Sequence, residues 1–139
     1  SRAVGSSFGE KDVFGEFYNK IKQNEFILCL KNQHFCLTEV SDLVYAIIQA
    51  VQNKLNGLFH LSSTNYISRF QLATMYANKI FGGYENIAEK EYDELPFSDH
   101  RQILGGLRGD RLNQLLGLHF LDIEEILEKY QQSYEKYVG

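Results

Sequence analysis

The sequence predicts an α/β fold in which helices alternate with short strands. Apolar residues recur at helical spacing behind capping residues, and apolar runs too brief for a helix lie between those segments. No internal repeat or low-complexity linker interrupts the alternation. At 139 residues and 44% hydrophobic composition the chain can bury one sizeable core, so residues 1–139 read as a single domain or fragment.

Asp12 is a suitable N-cap for a first helix whose Phe14, Phe17, Tyr18 and Ile21 share a face, with Asn24 at its end. Residues 26–30 read as a buried strand, because a continuous apolar run is flanked by polar residues. With Thr38 or Ser41 as N-cap, a second helix carries Leu43, Val44, Ile47, Ile48 and Val51 on one face and stops before Asn56-Gly57. Residues 58–61 form a second buried strand, with His60 as a hydrogen-bonded core residue. Ser68-Arg69-Phe70-Gln71 has capping-box spacing and opens a helix with Phe70, Ala73, Ala77 and Ile80 on one side, closed by Gly82-Gly83. Residues 87–92 alternate weakly as an edge strand, and residues 96–109 read as an ordered loop. Asp110 caps a short helix bearing Leu112, Leu115 and Leu116, with Gly117 at its stop. Asp122-Ile123-Glu124-Glu125 caps a last helix bearing Ile126, Leu127, Tyr130, Tyr134 and Tyr137.

The net charge of −4, with Lys and Arg scattered among Asp and Glu, provides no basic stripe to track a nucleic-acid backbone. One or two local arginines could still hold a small phosphorylated ligand. The longest apolar run is far shorter than a membrane span, and the opening residues lack the regions of a signal peptide, so a cytoplasmic protein is expected. Cys29 and Cys36 stand outside any Cys-x-x-Cys or His-rich context and read as reduced structural thiols.

Few residues offer chemistry. Gly5-Ser6-Ser7-Phe8-Gly9 lacks the Lys-Ser/Thr ending of a P-loop and is expected to be a flexible terminal segment. Tyr18 and Lys22 match Tyr-x-x-x-Lys, which can lower a phenol pKa for proton transfer. Too few residues precede Tyr18 to build a dinucleotide-binding unit beside it, so Tyr18 is expected to pack with Phe14 and Lys22 to be solvated. His34, His60, His100 and His119 are widely spaced, with none paired as helical metal ligands. Glu124, Glu125 and Glu128 suit a solvated face near a helix N-terminus. Arg101, in a polar loop after Asp99-His100, could grip a diphosphate bidentately.

The order Asn32-Gln33, Leu37-Thr38, Val40, Asp42-Leu43, then Gly57-Leu58-Phe59-His60-Leu61-Ser62 and Ser68-Arg69-Phe70-Gln71-Leu72-Ala73 resembles the C-terminal half of sugar-nucleotide reductases. These belong to the extended short-chain dehydrogenase family, of which the dTDP-4-dehydrorhamnose reductases are representative. The resemblance runs from Arg2, which looks like the residue ending the last strand of the nucleotide-binding half, to Leu127. It implies that Arg101 contacts the nucleotide diphosphate, since Asp99, Arg101 and Asp110 through Leu116-Gly117 match the family pattern, with Gln102 where proline is usual. It also implies that Gln33 and Thr38 are substrate-binding positions, with Leu37 in place of the family's proline. Phe35-Cys36 stands where epimerases place Arg-Asp, which favours the reductase branch. Val40 and Asp42 match structural helix-entry positions.

The resemblance thus implies a C-terminal, substrate-side fragment of an extended short-chain dehydrogenase, with its N-terminal Rossmann half absent. The implied activity is reduction of a nucleotide-linked 4-keto-deoxysugar, with NAD(P) bound only by the full-length protein and no catalytic, cofactor or metal residue in this chain. The partners expected are a nucleotide-sugar and the missing half, with neither nucleic acid nor membrane. A non-catalytic regulatory or binding subunit on the same scaffold, and a ligand-free interaction domain, stay open as alternatives. Without its sheet, the chain is expected to expose the apolar faces of its first two helices and to self-associate.

Overall fold

Strand β3 (His34–Glu39) is the axis of the fold. In the computed structural model, which describes residues 2–9, 11–96 and 103–139, His34 and Phe35 pair with β4 (Tyr66–Ser68) on one edge and with β6 (Leu104–Gly105) on the other. The second half of β3 pairs in parallel with β1 (Arg2–Val4), in the register Arg2 to Leu37 and Val4 to Glu39. A separate parallel ladder joins β2 (Ile27–Leu30) to β5 (Ile87–Lys90).

Five α-helices surround these strands among the described residues: α1 (Val13–Lys22), α2 (Val40–Gln52), α3 (Arg69–Phe81), α4 (Asp110–Leu116) and α5 (Ile123–Val138). Local chemistry sets their ends. The Asp12 carboxylate accepts from the Phe14 and Gly15 amides. Reciprocal capping boxes, Ser68 with Gln71 and Asp122 with Glu125, open α3 and α5 and satisfy amides that have no partner in the first turn. Gly82 and Gly117 end α3 and α4 in the left-handed region, at φ 75° and 61°, where a Cβ would be strained.

The core lies where α1, α3 and α5 pack together and against the strands, which add Val4, Ile27, Phe35, Leu37 and Ile67. Phe14 stacks on Tyr76 at 5.4 Å, and the Tyr76 hydroxyl donates to that of Tyr130 at 3.3 Å. Burial pushes both phenols above their ordinary pKa, so they act as neutral packing groups. Buried Arg69 lies 5.1 Å over the Phe17 ring and pairs with Glu16 at 2.6 Å, tying α3 to α1.

Several expectations are corrected. Residues 58–61 form no strand, Leu58 is 82% exposed, and His60 is exposed rather than in the core, because no strand among the described residues pairs with them. The stretch before α2, to which the sequence reading assigns no element, is the central strand, and the N-cap of α2 is Glu39 rather than Thr38 or Ser41. Asp110 is the first residue of α4; Gly109 stands at the N-cap without a side-chain bond. The segment after β1 is tied down: the Gly5 amide donates to Asp12, Ser6 donates to Glu39, and Phe8 packs on Tyr18 and Tyr134. Tyr18 meets Phe8, Phe81 and Tyr134, and Lys22 lies 5.7 Å over its ring face. The expected edge strand is shorter, ending at Lys90, and the expected 96–109 loop lies partly outside the described residues and otherwise contains β6.

The two helix faces expected to be bare differ. The α1 face is covered, with Val13, Phe14 and Phe17 buried. The outer face of α2 is not: Val44, Ile47 and Ile48 are exposed and Val51 is 71% exposed.

Glu39 is only 3% exposed. Burial pushes its carboxyl pKa up, but hydrogen bonds from the Ser41 hydroxyl, the Ser6 hydroxyl and the Ser41 amide outweigh it and hold the pKa below its ordinary 4.5. A pKa lower in the folded than in the unfolded chain stabilises the fold above pH 4.5, and that contribution is lost as pH falls through the folded value. Glu39→Gln is therefore expected to lower the denaturation midpoint at neutral pH, with the gap to wild type closing below pH 4.5 in a urea titration series. A pH-independent gap would mean that the carboxylate charge is immaterial.

Candidate functional site

A cleft of about 380 Å³ opens where β3 and β4 meet the segment leading into α4; Cys36, Ser63, Tyr66, Leu107, Arg108 and Asp110 are among its lining residues. Its volume lies within the range of small-molecule sites. The segment is held by backbone: the His34 amide donates to Ile103 O at 2.7 Å, and the Cys36 thiol donates to Leu107 O at 3.6 Å. His34 stacks on Tyr66 at 5.1 Å with an interplanar angle of 14°, giving a flat aromatic element beside the cleft wall.

Gly109 permits the closest approach. A Cβ there would stand 2.3 Å from Ser62 O and 3.0 Å from Ser62 N, so only glycine lets α4 begin against this backbone. Ser62 and Ser63 are buried and form a polar shelf. The Ser63 amide donates to Thr38 Oγ1 at 3.0 Å, the Thr38 hydroxyl donates to Ser63 Oγ at 3.4 Å, and the Ser63 hydroxyl donates to Leu37 O. At the mouth, Arg108 is 92% exposed on its side chain and its Nε donates to Asp110 at 2.9 Å. An ion pair so open to water contributes little to stability and leaves the guanidinium positioned for an anionic ligand. Arg111 lies 5.1 Å over the Phe59 ring.

Gln33 and Thr38, two of the residues expected to bind substrate, lie apart. Thr38 is 0% exposed, and the hydrogen bonds recorded for its hydroxyl hold the Ser63 shelf inside the protein. Gln33, half-buried, sits in the turn before β3; its amide donates to Leu30 O and its carbonyl accepts from the Arg69 amide. A strand of this length separates the two by roughly 15–17 Å at the usual rise per residue. Arg101, like Asp99, His100 and Gln102, lies outside the described residues. Sequence reasoning missed Arg108, Tyr66 and Ser63. The Gly-Asp pair at 109–110 signalled a helix entry, but nothing local showed that β3 and β4 would form the facing wall.

The arrangement suits binding. Hydroxyls, backbone groups, an aromatic pair and an exposed cation converge on the cleft. Away from the cleft, burial pushes the Cys29 thiol up to about 11, which makes it inert. Among the described residues no group of three or more His, Cys, Asp or Glu could hold a metal ion, and no helix is long and apolar enough to cross a membrane.

The chain matches dTDP-4-dehydrorhamnose reductase from Yersinia enterocolitica with a TM-score of 0.75 and 20% identity, over 96% of this chain and 47% of that one. A Clostridium acetobutylicum dTDP-4-dehydrorhamnose reductase matches with a TM-score of 0.76 and 16% identity, over 100% and 47%. The chain carries the fold of part of these reductases. Bordetella bronchiseptica WbmH, solved with NAD+, matches at 0.74 and 18% identity, over 99% and 44%. The chain spans just under half the length of these solved structures, and at such identities the likeness is one of fold. No family model and no curated protein matches the sequence.

Replacing Gly109 by alanine is expected to destabilise the protein by about 1–3 kcal/mol, the usual cost of forcing atoms into a filled space. The readout is the urea midpoint. An unchanged midpoint would show that α4 and the Ser62 backbone can move apart freely.

Proposed function

We propose that the chain is the substrate-binding portion of an NAD(P)H-dependent reductase acting on a nucleotide-linked 4-keto-deoxysugar. The observation that carries this reading is the agreement of nearly the whole chain with just under half of a dTDP-4-dehydrorhamnose reductase. The cleft between β3, β4 and the start of α4 supports it, since an exposed guanidinium and a flat aromatic pair suit a ligand that joins phosphate and base. In this reading Arg101 and Gln33 contact the nucleotide-sugar, and Thr38 acts indirectly by fixing the Ser63 shelf. NAD(P) is held by the full-length protein outside this chain, which contributes no catalytic residue and is inactive alone. A cytoplasmic location accords with such a substrate, and the bare face of α2 favours self-association of the isolated chain.

Calorimetric titration of the full-length protein with dTDP- and UDP-sugars tests the reading. Both Arg101→Ala and Arg101→Lys are expected to weaken binding by about 1.5–3 kcal/mol, because a point charge cannot replace the bidentate fork. Wild-type affinity in both variants would remove Arg101 from the site, and no binding by wild type would remove the reading.

Titration of the isolated chain with NADPH is expected to give no change in cofactor fluorescence, because the sequence has no Gly-x-x-Gly-x-x-Gly turn to approach a pyrophosphate. A saturable micromolar signal would overturn the assignment of the cofactor to the rest of the protein.

A further inference from the structure

Among the described residues that line the cleft, the charged side chains are one pair of opposite sign, Arg108 and Asp110, on either side of Gly109. Their contact is specific in geometry: Arg108 donates from Nε to a single Asp110 oxygen at 2.9 Å. A guanidinium carries five N–H donors in a planar fork, of which Nε supplies one, so the donors on Nη1 and Nη2 stay available. Neither nitrogen has a hydrogen-bond or ion-pair partner among the described residues. Arg111, the next guanidinium along the chain, lies over the Phe59 ring and is not a lining residue of the cleft.

Asp110 is a firm point of attachment, because it opens α4 where Gly109 sits against the Ser62 backbone. Both partners are open to water, so the pair stabilises the fold little. A carboxylate at the mouth of a site for an anion also repels its ligand. Neither effect accounts for it. We propose that Asp110 is a positioning residue: by accepting from Nε it turns the Arg108 fork so that Nη1 and Nη2 present a bidentate grip to a phosphate group in the cleft. The stem of Arg108 keeps its reach, and only the plane of its fork is selected. The ligand thereby gains a second guanidinium in addition to the one expected from Arg101. For the anion being a nucleotide diphosphate, the inference rests on the functional reading above; for its being a phosphate group, it rests on the fork.

Calorimetric titration of the full-length protein with inorganic pyrophosphate and with a dTDP-sugar tests this in wild type, Arg108→Ala, Asp110→Ala and the double variant. Repulsion by Asp110 acts whether or not Arg108 is present and cancels in the comparison, whereas orientation needs both side chains. The factor by which Asp110→Ala weakens binding is expected to be at least about fivefold larger with Arg108 present than with Arg108→Ala. Asp110→Asn, whose side-chain carbonyl still accepts from Nε, is expected to recover part of that factor. Factors that agree within about twofold in the two backgrounds, for both ligands, would overturn the proposal. Coupling seen with pyrophosphate while wild type fails to bind dTDP-sugars would retain the positioning role and discard the functional reading. Binding of dTDP-sugars without coupling would do the reverse, and binding of neither ligand would discard both.

Discussion

Everything in this molecule is arranged around the pairing of β3. Its residues supply ladder partners to β1, β4 and β6, and its last residue is the N-cap of α2. Buried backbone groups must be paired, so a short strand that serves three others fixes their mutual positions. Its terminal side chains extend that control. Thr38 holds Ser63, while Glu39 holds Ser6, Ser41 and the first turn of α2, so the polar end of one strand orders segments far apart in sequence.

The cleft inherits its shape from this scaffold more than from its own side chains. Its walls are set by backbone pairing of Ile103 and Leu104 with His34 and by the approach of Gly109 to Ser62. Arg108 stands at the mouth with few constraints. Such a division suits a binding site, where rigid walls define shape and mobile charge at the rim captures the ligand. Cys29, Tyr76 and Tyr130, whose pKa values are raised, lie in the core and owe their shifts first to burial, which marks them as structural.

Features decided by local chemistry were legible in the sequence. Asp12, Ser68 with Gln71, Asp122 with Glu125, and the glycines at 82 and 117 act within a turn of their own position, and each stands at the end that its residue type implies. The central strand was obscured because Phe35-Cys36-Leu37-Thr38-Glu39 runs straight into a helix with no turn residue between, and Glu39 is an unusual cap. The reading of residues 58–61 as a buried strand failed for the opposite reason: the pattern is present and its partner is not among the described residues. The resemblance marks Thr38 as a candidate site position, but its direction was not legible, since facing inward or outward depends on strand register. Arg101 falls outside the described residues.

The dependence on β3 also bears on how the chain reaches this state. Cys36 meets Leu107 across 71 residues, and Phe8 meets Ser133 across 125. The loop-closure entropy for such contacts is lost before the packing that offsets it is complete. The helical layer of α1, α3 and α5 carries large apolar faces and self-contained caps, so it can condense early. The parallel additions of β1 and β6 to β3 are non-local, and β6 adds no buried residue of its own. A chain organised in this way reaches its core quickly and its binding cleft last, and the unpaired edges of β3 are the surface most open to mispairing during that interval.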